Sequence, residues 1–270
     1  MLKLTKGTRF KTDAPAKLNI TLNVGGVEQS SGYHILSSVM QTVSLSYPVF
    51  LERTNNSEVK IRGCENIHKI LRKAIDKLSE ETGKTLSCII TIEDKLLLGS
   101  GMGIDSSHAA AVLRLANEAF ELNMPIEKLH KIASKVGSDV QFLVYGGRAF
   151  CEGGIEHKIT PMFIPPLYYV IAKPEGISLS TPVQYALIDK TGKTFTQLAF
   201  EACPQTKILY DTITGSEVEH GVTGKGPTVF WGYKRLDETS ELKQHLEKIE
   251  GISVFSAEPV TLKGITSFPT

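Results

Sequence analysis

The stretch LLLGSGMGIDSSHAAAVLRLANEAFEL, residues 96–122, carries the strongest structural signal in this sequence. It reads as the end of a strand, a glycine-rich turn and an alanine-rich helix that begins near Ser106. Gly99, Gly101 and Gly103 alternate with other residues, so backbone amides in this turn can approach a ligand closely. The first turn of the helix adds free N–H groups and the positive end of the helix dipole. The pattern therefore predicts an anion site suited to phosphate.

Ser106 and Ser107, at the head of this helix, can add hydroxyl hydrogen bonds or a contact to Mg²⁺. The turn is not a Walker A loop, because no Gly-Lys-Ser/Thr follows the glycines. It also lacks the glycine spacing of a dinucleotide-binding fingerprint. A tight turn that merely precedes a serine-capped helix is the alternative, and the turn alone does not decide between the two.

The composition is that of an ordinary globular protein. The chain has 270 residues, of which 41% are hydrophobic and 22% are charged. This length corresponds to about two domains and can bury a core without disulfides or metals. Lys plus Arg total 30 and Asp plus Glu total 29, and the resulting net charge of +1 argues against a nucleic-acid-binding protein. An anionic substrate is not excluded, because a small site needs only a local excess of positive potential.

The cysteines give no sign of a metal site or a disulfide framework. Cys64, Cys88, Cys151 and Cys203 lie far apart and show no zinc-binding spacing, so we expect reduced, mostly buried thiols. No apolar run approaches the roughly 18–20 residues of a membrane span, and the basic N-terminus lacks the apolar centre of a signal peptide. The sequence therefore predicts a cytoplasmic protein, monomer or homodimer, with no membrane or nucleic-acid partner.

Periodicity and turn residues predict strands and helices without a strict β–α–β rhythm, which favours an α+β fold. The predicted strands cover residues 16–24, 35–50, 59–61, 88–92, 140–145, 148–152, 167–172 and 229–233. The predicted helices cover residues 67–82, with Asn66 as the N-cap, 106–122, 126–136, 181–187 and 238–249. Prolines between residues 161 and 166 mark a domain boundary, which divides the chain into residues 1–158 and 159–270.

Three polar features outside the glycine-rich turn are candidates for chemistry. Lys17 lies in an alternating strand, where a lysine can equally face water. Asp139 lies between a helix and an apolar stretch, where an aspartate often hydrogen-bonds its own turn. Tyr33 and His34 belong to the polar turn SGYH, residues 31–34, which is also typical of an ordinary loop. Each feature, taken alone, has a structural explanation as good as a functional one.

In order and spacing, these features resemble the GHMP kinase superfamily, and within it the kinases of the non-mevalonate isoprenoid pathway that act on cytidine diphosphate-linked methylerythritol. The resemblance implies a two-domain α+β fold with the active-site cleft between the domains, ATP and Mg²⁺ as cofactors, and a small-molecule substrate. The matching segments run in the family's order and cover most of the chain: PAKLNITL (15–22), SGYHILSSVMQTVSL (31–45), ENIHKILRKA (65–74), GSGMGIDSSHAAAVL (99–113), VGSDVQFLVYGGRAFCEG (136–153) and TGKGPTVF (223–230).

The resemblance also implies roles for individual residues. Lys17 and Asp139 match the catalytic pair: Asp139 takes the proton of the acceptor's 2-hydroxyl, while Lys17 keeps the aspartate ionised and stabilises developing charge. Tyr33 stacks on the cytosine and His34 hydrogen-bonds it. The matched residues are Gly99, Ser100, Gly101, Gly103, Ser106 and Ser107 for the ATP phosphates, Asn66 and Lys95 for the adenine side, Asn19, Tyr33, His34 and Thr181 for the substrate, and Gly224, Lys225 and Gly226 in a C-terminal glycine loop.

Departures from the family's pattern bear on the ATP loop. Ile104 and Asp105 stand where the family has glycines, and Asp105 sets a carboxylate where nucleotide phosphates should lie, at a cost of about a kcal/mol or more. Lys225, where the family commonly has serine, can pair with Asp105 or hold a phosphate, and Asp105 or Ser106 can contact Mg²⁺. Three functions stay open: the kinase that the resemblance implies, a kinase of this fold for another small alcohol or phosphate ester, and a catalytically weak ligand-binding protein.

Overall fold

The computed structural model describes residues 8–29, 32–56, 58–154, 156–262 and 264–269. Its strands are β1 (Thr8–Asn19), β2 (Asn23–Val27), β3 (His34–Arg53), β4 (Val59–Arg62), β5 (Cys88–Thr91), β6 (Arg148–Gly153), β7 (His157–Pro161), β8 (Tyr168–Pro174), β9 (Glu219–Val222), β10 (Val229–Tyr233), β11 (Ile252–Ala257) and β12 (Thr266–Pro269). Its α-helices are α1 (His68–Thr82), α2 (Ile104–Ala119), α3 (Ile126–Val136), α4 (Ser138–Tyr145), α5 (Thr181–Thr191), α6 (Phe195–Ala202), α7 (Pro204–Asp211) and α8 (Glu238–Leu246).

Within the described residues, the strands form an eight-stranded sheet and a four-stranded sheet. The long strand β3 organises the first sheet, because it pairs antiparallel with β1, β2, β5 and β6. Helices α1 to α4 supply a large core against this sheet, in which Leu71, Leu113 and Phe142 are fully buried. The second sheet has the order β11-β8-β10-β9 and is antiparallel throughout.

The second sheet is buried on both faces, which joins the two halves of the chain. Side chains of a strand point alternately to opposite faces. Tyr169 and Ile171 of β8 therefore pack with Leu18 and Met102 of the first half, whereas Val170 lies in a separate core that contains residues of α6, α7 and α8. The core that contains Leu18 and Met102 lies beside the end of β1 and the start of α2, which carry predicted site residues, so this packing holds the site together.

The division into two domains stays a prediction, and strand pairing bears on where it falls. The expected boundary between residues 158 and 159 lies inside β7, which pairs with β6 in the first sheet. The chain changes sheets between β7 and β8, and β12 later returns to pair with β1. A cut after Pro161 would therefore keep the β6–β7 hairpin whole.

Several local predictions were wrong. The apolar run 140–145 forms part of α4 rather than a strand, because four to eight apolar residues fit a buried helix as well as a buried strand. Asn66 lies inside a 3₁₀ helix at Glu65–Ile67, and Ile67 rather than Asn66 is the N-cap of α1. The strand predicted over residues 16–24 is interrupted, since β1 ends at Asn19 before β2 begins.

Candidate active site

A cavity of about 250 Å³ lies where the end of β1 meets the starts of α2, α4 and α5. Its wall includes most of the residues that the sequence singled out. They are Lys17, Asn19, Gly99, Ser100, Gly101, Gly103, Asp105, Ser106, Asp139, Thr181, Gly224 and Lys225. Residues as far apart in the chain as Lys17 and Lys225 thus meet at one surface.

A larger cavity, of about 610 Å³, lies at the opposite end of β1. It is lined by Phe10, Arg53, Lys84 and Phe120 among others, and none of the residues predicted from the sequence lines it. Helices α1 and α2 end beside it, and helix C-termini carry partial negative charge that disfavours anions. The smaller cavity is therefore the candidate site.

Lys17 and Asp139 form an ion pair at the cavity wall, with Lys17 Nζ 3.4 Å from Asp139 Oδ2. Lys17 extends from β1, at a register shift between Pro15 and Lys17 that re-aims side chains locally, and its side chain is 4% exposed. Asp139 lies in the first turn of α4, where the helix dipole favours a carboxylate. The Asp139 side chain is 30% exposed, so it can meet a ligand that enters the cavity.

Buried hydrogen bonds fix this pair and tie it to the second half of the chain. Lys17 Nζ donates to Asn19 Oδ1, and Asn19 Nδ2 donates to Ser38 Oγ at 2.7 Å. The Asn19 backbone N–H donates to Thr223 Oγ1 at 3.0 Å, and the Thr223 hydroxyl donates to the carbonyl oxygen of Gly101 at 3.3 Å. Satisfied polar networks of this kind rigidify a site.

Helices α2, α4 and α5, which carry predicted site residues, begin at the cavity. Helix α2 begins at Ile104, two residues before the predicted start, with Gly103 as its N-cap. Helix α4 begins after Gly137, and α5 begins after Ser180. Each helix N-terminus presents unpaired N–H groups and partial positive charge. Together with the two lysines of the wall, they create the local positive potential that a phosphate-bearing ligand requires.

The two glycine loops touch at Gly101. The backbone φ of Gly101 is +81°, and a Cβ atom there would lie 2.2 Å from the carbonyl oxygen of Thr223. On the other side of the contact, a Cβ on Gly224 would lie 2.7 Å from the carbonyl oxygen of Gly101. Residues without side chains are therefore required for the predicted phosphate loop to pack against the C-terminal loop.

Lys225 lines the cavity as a cation held by a hydroxyl group. Its Nζ donates to Thr181 Oγ1 at 2.6 Å, and no salt bridge joins it to Asp105 within the described ranges. Burial lowers the pKa of the Lys225 ammonium, while the negative charge of Asp105 opposes that shift. Asp105 itself lies in the first turn of α2 with an exposed side chain.

The other predicted site residues lie off the cavity wall. Ser107 is buried, and its hydroxyl donates to the carbonyl oxygen of Pro15 at 2.7 Å, which fastens α2 to β1. The N–H of Gly226 closes the turn of the C-terminal loop. Asn66 and Lys95 are exposed and line neither cavity. The adenine-side roles of Asn66 and Lys95 therefore stay predictions.

Tyr33 and His34 also lie off the wall, and Ser31 of the same segment is outside the described residues. Tyr33 is an exposed residue, 59% accessible to solvent. The His34 ring instead stacks on Tyr185, with centroids 5.0 Å apart and 12° between the planes. The roles predicted for Tyr33 and His34 toward a base are not tested by this arrangement and stay predictions.

Sequence reasoning missed the aromatic part of the wall, which consists of Tyr185 and Phe195. The two rings meet edge to face, with centroids 5.2 Å apart. Burial raises the pKa of the Tyr185 hydroxyl to about 12, and the Asp139 charge adds to the shift, so this phenol is neutral near pH 7. A signal was present, because Tyr185 follows Thr181 by four residues and therefore shares its helix face.

Comparison with known proteins identifies the family. A sequence profile of the GHMP kinases N terminal domain matches residues 69–147. A 4-diphosphocytidyl-2-C-methyl-D-erythritol kinase of Listeria monocytogenes serotype 4b (strain CLIP80459) is 30% identical over 254 residues, which cover 82% of this chain and 86% of that protein. The chain belongs to the 4-diphosphocytidyl-2-C-methyl-D-erythritol kinase family. Membership implies a phosphotransferase that uses ATP and acts on a small molecule.

A second member of the 4-diphosphocytidyl-2-C-methyl-D-erythritol kinase family is more similar over a shorter stretch. The protein of Ralstonia pickettii (strain 12J) is 37% identical over 177 residues. That match covers 64% of this chain and spans 60% of the Ralstonia protein.

Solved structures confirm the predicted GHMP kinase fold. A crystal structure of 4-(cytidine 5'-diphospho)-2C-methyl-D-erythritol kinase matches with a TM-score of 0.73 and 21% identity, over 93% of this chain and all of that one. A homoserine kinase from Cytophaga hutchinsonii matches equally well, with a TM-score of 0.73 at 14% identity over 99% of each chain. Among the described residues, every helix is too short or too polar to cross a membrane.

Proposed function

We propose that the protein transfers the γ-phosphoryl group of ATP to the 2-hydroxyl of 4-diphosphocytidyl-2-C-methyl-D-erythritol. The observation that carries the proposal is the 3.4 Å contact between Lys17 and Asp139 in a cavity where α2, α4 and α5 begin. Phosphoryl transfer to an alcohol needs a base for the hydroxyl proton and positive potential for the donor phosphates. The cavity combines both, and the family supplies the acceptor.

In this mechanism Asp139 accepts the proton of the acceptor hydroxyl. The hydroxyl oxygen bonds to the γ-phosphorus of ATP, and the bond between that phosphorus and the bridging oxygen of ADP breaks. Lys17, 3.4 Å from that carboxylate, stabilises the charge on the transferring group, while Asn19 holds the Lys17 ammonium in place. A positioned base contributes roughly 10²–10⁴-fold to such a rate, and orientation and charge stabilisation supply most of the remainder.

The ATP phosphates are assigned to the start of α2. Gly103, Ile104, Ser106 and Lys225 all line the cavity here, and they offer backbone amides, a hydroxyl and an ammonium. These groups are donors or cations, which suit phosphate oxygens. Asp105 is the exception, since its carboxylate shares the wall with them.

The oxygen donors of the wall fit a Mg²⁺ ion that the nucleotide mainly holds. Mg²⁺ usually keeps several waters and is bound through one or two carboxylates together with substrate phosphates. In the part of the chain that the structure describes, no group of three or more His, Cys, Asp or Glu side chains is placed to hold a metal alone. Ser106 and Asp105 would hold the ion, which when bound offsets phosphate charge.

A panel of acceptors tests the proposal. Purified protein, ATP and Mg²⁺ are incubated with 4-diphosphocytidyl-2-C-methyl-D-erythritol and with other small alcohols and phosphate esters, and ADP release is measured. We expect the cytidine-linked acceptor to give the highest kcat/KM. Lys17→Met should abolish that turnover, whereas Lys84→Met, at the other cavity, should leave it unchanged.

Two results would contradict the proposal in different ways. A higher kcat/KM with another alcohol would support the second function, a kinase of this fold for a different acceptor. No turnover with any acceptor, together with no ATP binding in calorimetry, would support a ligand-binding protein without kinase activity.

A further inference from the structure

His34 connects the first sheet to helix α5 beside the aromatic wall of the cavity. It comes from the start of β3, in the first sheet, whereas its partners Tyr185 and Asp189 belong to α5. His34 Nε2 lies 3.0 Å from Asp189 Oδ1, and the imidazole stacks on the Tyr185 ring. The other ring nitrogen, Nδ1, lies 3.3 Å from the carbonyl oxygen of Gly25. The His34 side chain is only 12% exposed, so these contacts enclose it.

The helix α5 places both partners of His34 on one face. Tyr185 and Asp189 are four residues apart, and residues at that spacing lie one turn above each other on a helix. One flat ring can therefore stack on Tyr185 and present an N–H to Asp189 at the same time. The Asp189 carboxylate consequently fixes where the imidazole lies along the Tyr185 ring.

Tyr185 connects this arrangement to the cavity. Tyr185 lines the wall, and Phe195 supports it edge to face with centroids 5.2 Å apart. Neither His34 nor Asp189 lines the cavity. Asp189 therefore touches the wall indirectly, through its contact with His34, which stacks on Tyr185.

We propose that Asp189 is a positioning residue for binding of the acceptor substrate. By holding His34 against Tyr185, it fixes the aromatic wall and ties β3 to α5 at that side of the cavity. This role rests on the proposed function, because a substrate that carries a base is the ligand that benefits from a fixed aromatic wall. Lys17 and Asp139, which act on the reacting atoms, do not depend on Asp189.

Steady-state kinetics of Asp189→Ala test the proposal. The KM for the cytidine-linked acceptor should rise about two- to five-fold, the range that partly exposed ion pairs support, while kcat and the KM for ATP stay unchanged. Asp189→Glu should return the KM toward the wild-type value because it restores the acceptor for the His34 N–H. Asp211→Ala is the matched control: it removes a carboxylate of similar exposure, 56% against 59%, from a pair with Lys207 on α7, and it should change nothing.

A double-mutant cycle separates positioning from a general effect of charge. In the His34→Gln background, Asp189→Ala should raise the KM no further, because its partner is gone. Additive effects, an unchanged KM, or a KM that falls would each overturn the role of Asp189. If the proposed function is wrong, the wild-type protein itself will neither bind nor turn over the cytidine-linked acceptor. That result would overturn the role of Asp189 as well, and it is distinguishable because it needs no variant.

Discussion

Replacing Gly101 by alanine tests whether the contact between the two glycine loops builds the phosphate site. Gly101 has a φ of +81°, and a residue with a Cβ pays roughly 1–2 kcal/mol for such a left-handed conformation. The new Cβ would lie 2.2 Å from the Thr223 carbonyl oxygen, whereas ordinary contact begins at 3.4 Å. The loops must therefore move apart by more than an ångström.

The separation of the two loops determines how much stability Gly101→Ala loses. It breaks the hydrogen bond from the Thr223 hydroxyl to Gly101, which contributes about 1 kcal/mol, so Gly101→Ala should lower the free energy of unfolding by roughly 2–3 kcal/mol in all. Binding of a non-hydrolysable ATP analogue should weaken in parallel, because the displaced loop carries the amides assigned to the phosphates.

Urea unfolding and calorimetry check both effects, with Gly83→Ala as the control. Gly83 follows α1 with a φ of +65°, and a Cβ there would meet no atom within 4 Å. This control should lose only the roughly 1–2 kcal/mol of backbone strain and keep its nucleotide affinity. If Gly101→Ala loses no more stability than Gly83→Ala and binds the analogue as tightly as wild type, the reasoning about the loop contact is refuted.

Three further predictions concern charges. Asp105→Gly should tighten ATP binding about five-fold or more in Mg²⁺-free buffer, because like charges a few ångströms apart repel by about a kcal/mol or more; equal or weaker binding in calorimetry would contradict this. Arg148→Met should cost about 3 kcal/mol in urea unfolding, because Glu219, 2.7 Å away and 13% exposed, loses its only cation and keeps the Tyr169 hydroxyl as a hydrogen-bond donor among the described residues. The double variant Arg148→Met with Glu219→Gln should regain part of that loss, and an equal or larger loss would count against the buried pair. Burial lowers the pKa of His108 and His157 in the folded protein. As pH falls below about 6.5, the unfolded chain therefore binds more protons than the folded chain, and the free energy of unfolding falls by at most about 1.4 kcal/mol per pH unit for each histidine. If the pH dependence of stability in His157→Gln equals that of the wild type, His157 does not contribute to it.

The glycine-rich turn and the helix that follows it could be predicted from the sequence because their determinants are local, and the phosphate role of the turn stays a prediction. Alternating glycines and a helix start are properties of a few adjacent residues, and the structure places that segment at the cavity. The short apolar run after Asp139 was misread as a strand, since periodicity does not separate a fully buried helix from a buried strand. The error mattered little for Asp139 itself, which lies at the start of either element.

The partners of the site residues could not be read in this way. Lys17 and Asp139 are 122 positions apart, and only tertiary packing sets their separation. Lys225 was predicted to pair with Asp105 or to hold a phosphate. Its hydrogen-bond partner in the structure is the Thr181 hydroxyl, 2.6 Å away, and the phosphate role stays a prediction. Side-chain partners across two sheets depend on how the sheets pack, which local spacing does not encode.

The central claim is that Asp139 is the base for phosphoryl transfer to 4-diphosphocytidyl-2-C-methyl-D-erythritol. Its most direct test compares wild type with Asp139→Asn in saturating ATP, Mg²⁺ and this acceptor, with the phosphorylated product followed by ³¹P NMR. We expect product from the wild type and a kcat lower by roughly 10²–10⁴-fold in the variant, with ATP affinity and unfolding free energy retained. Turnover of Asp139→Asn within a few-fold of wild type would contradict it.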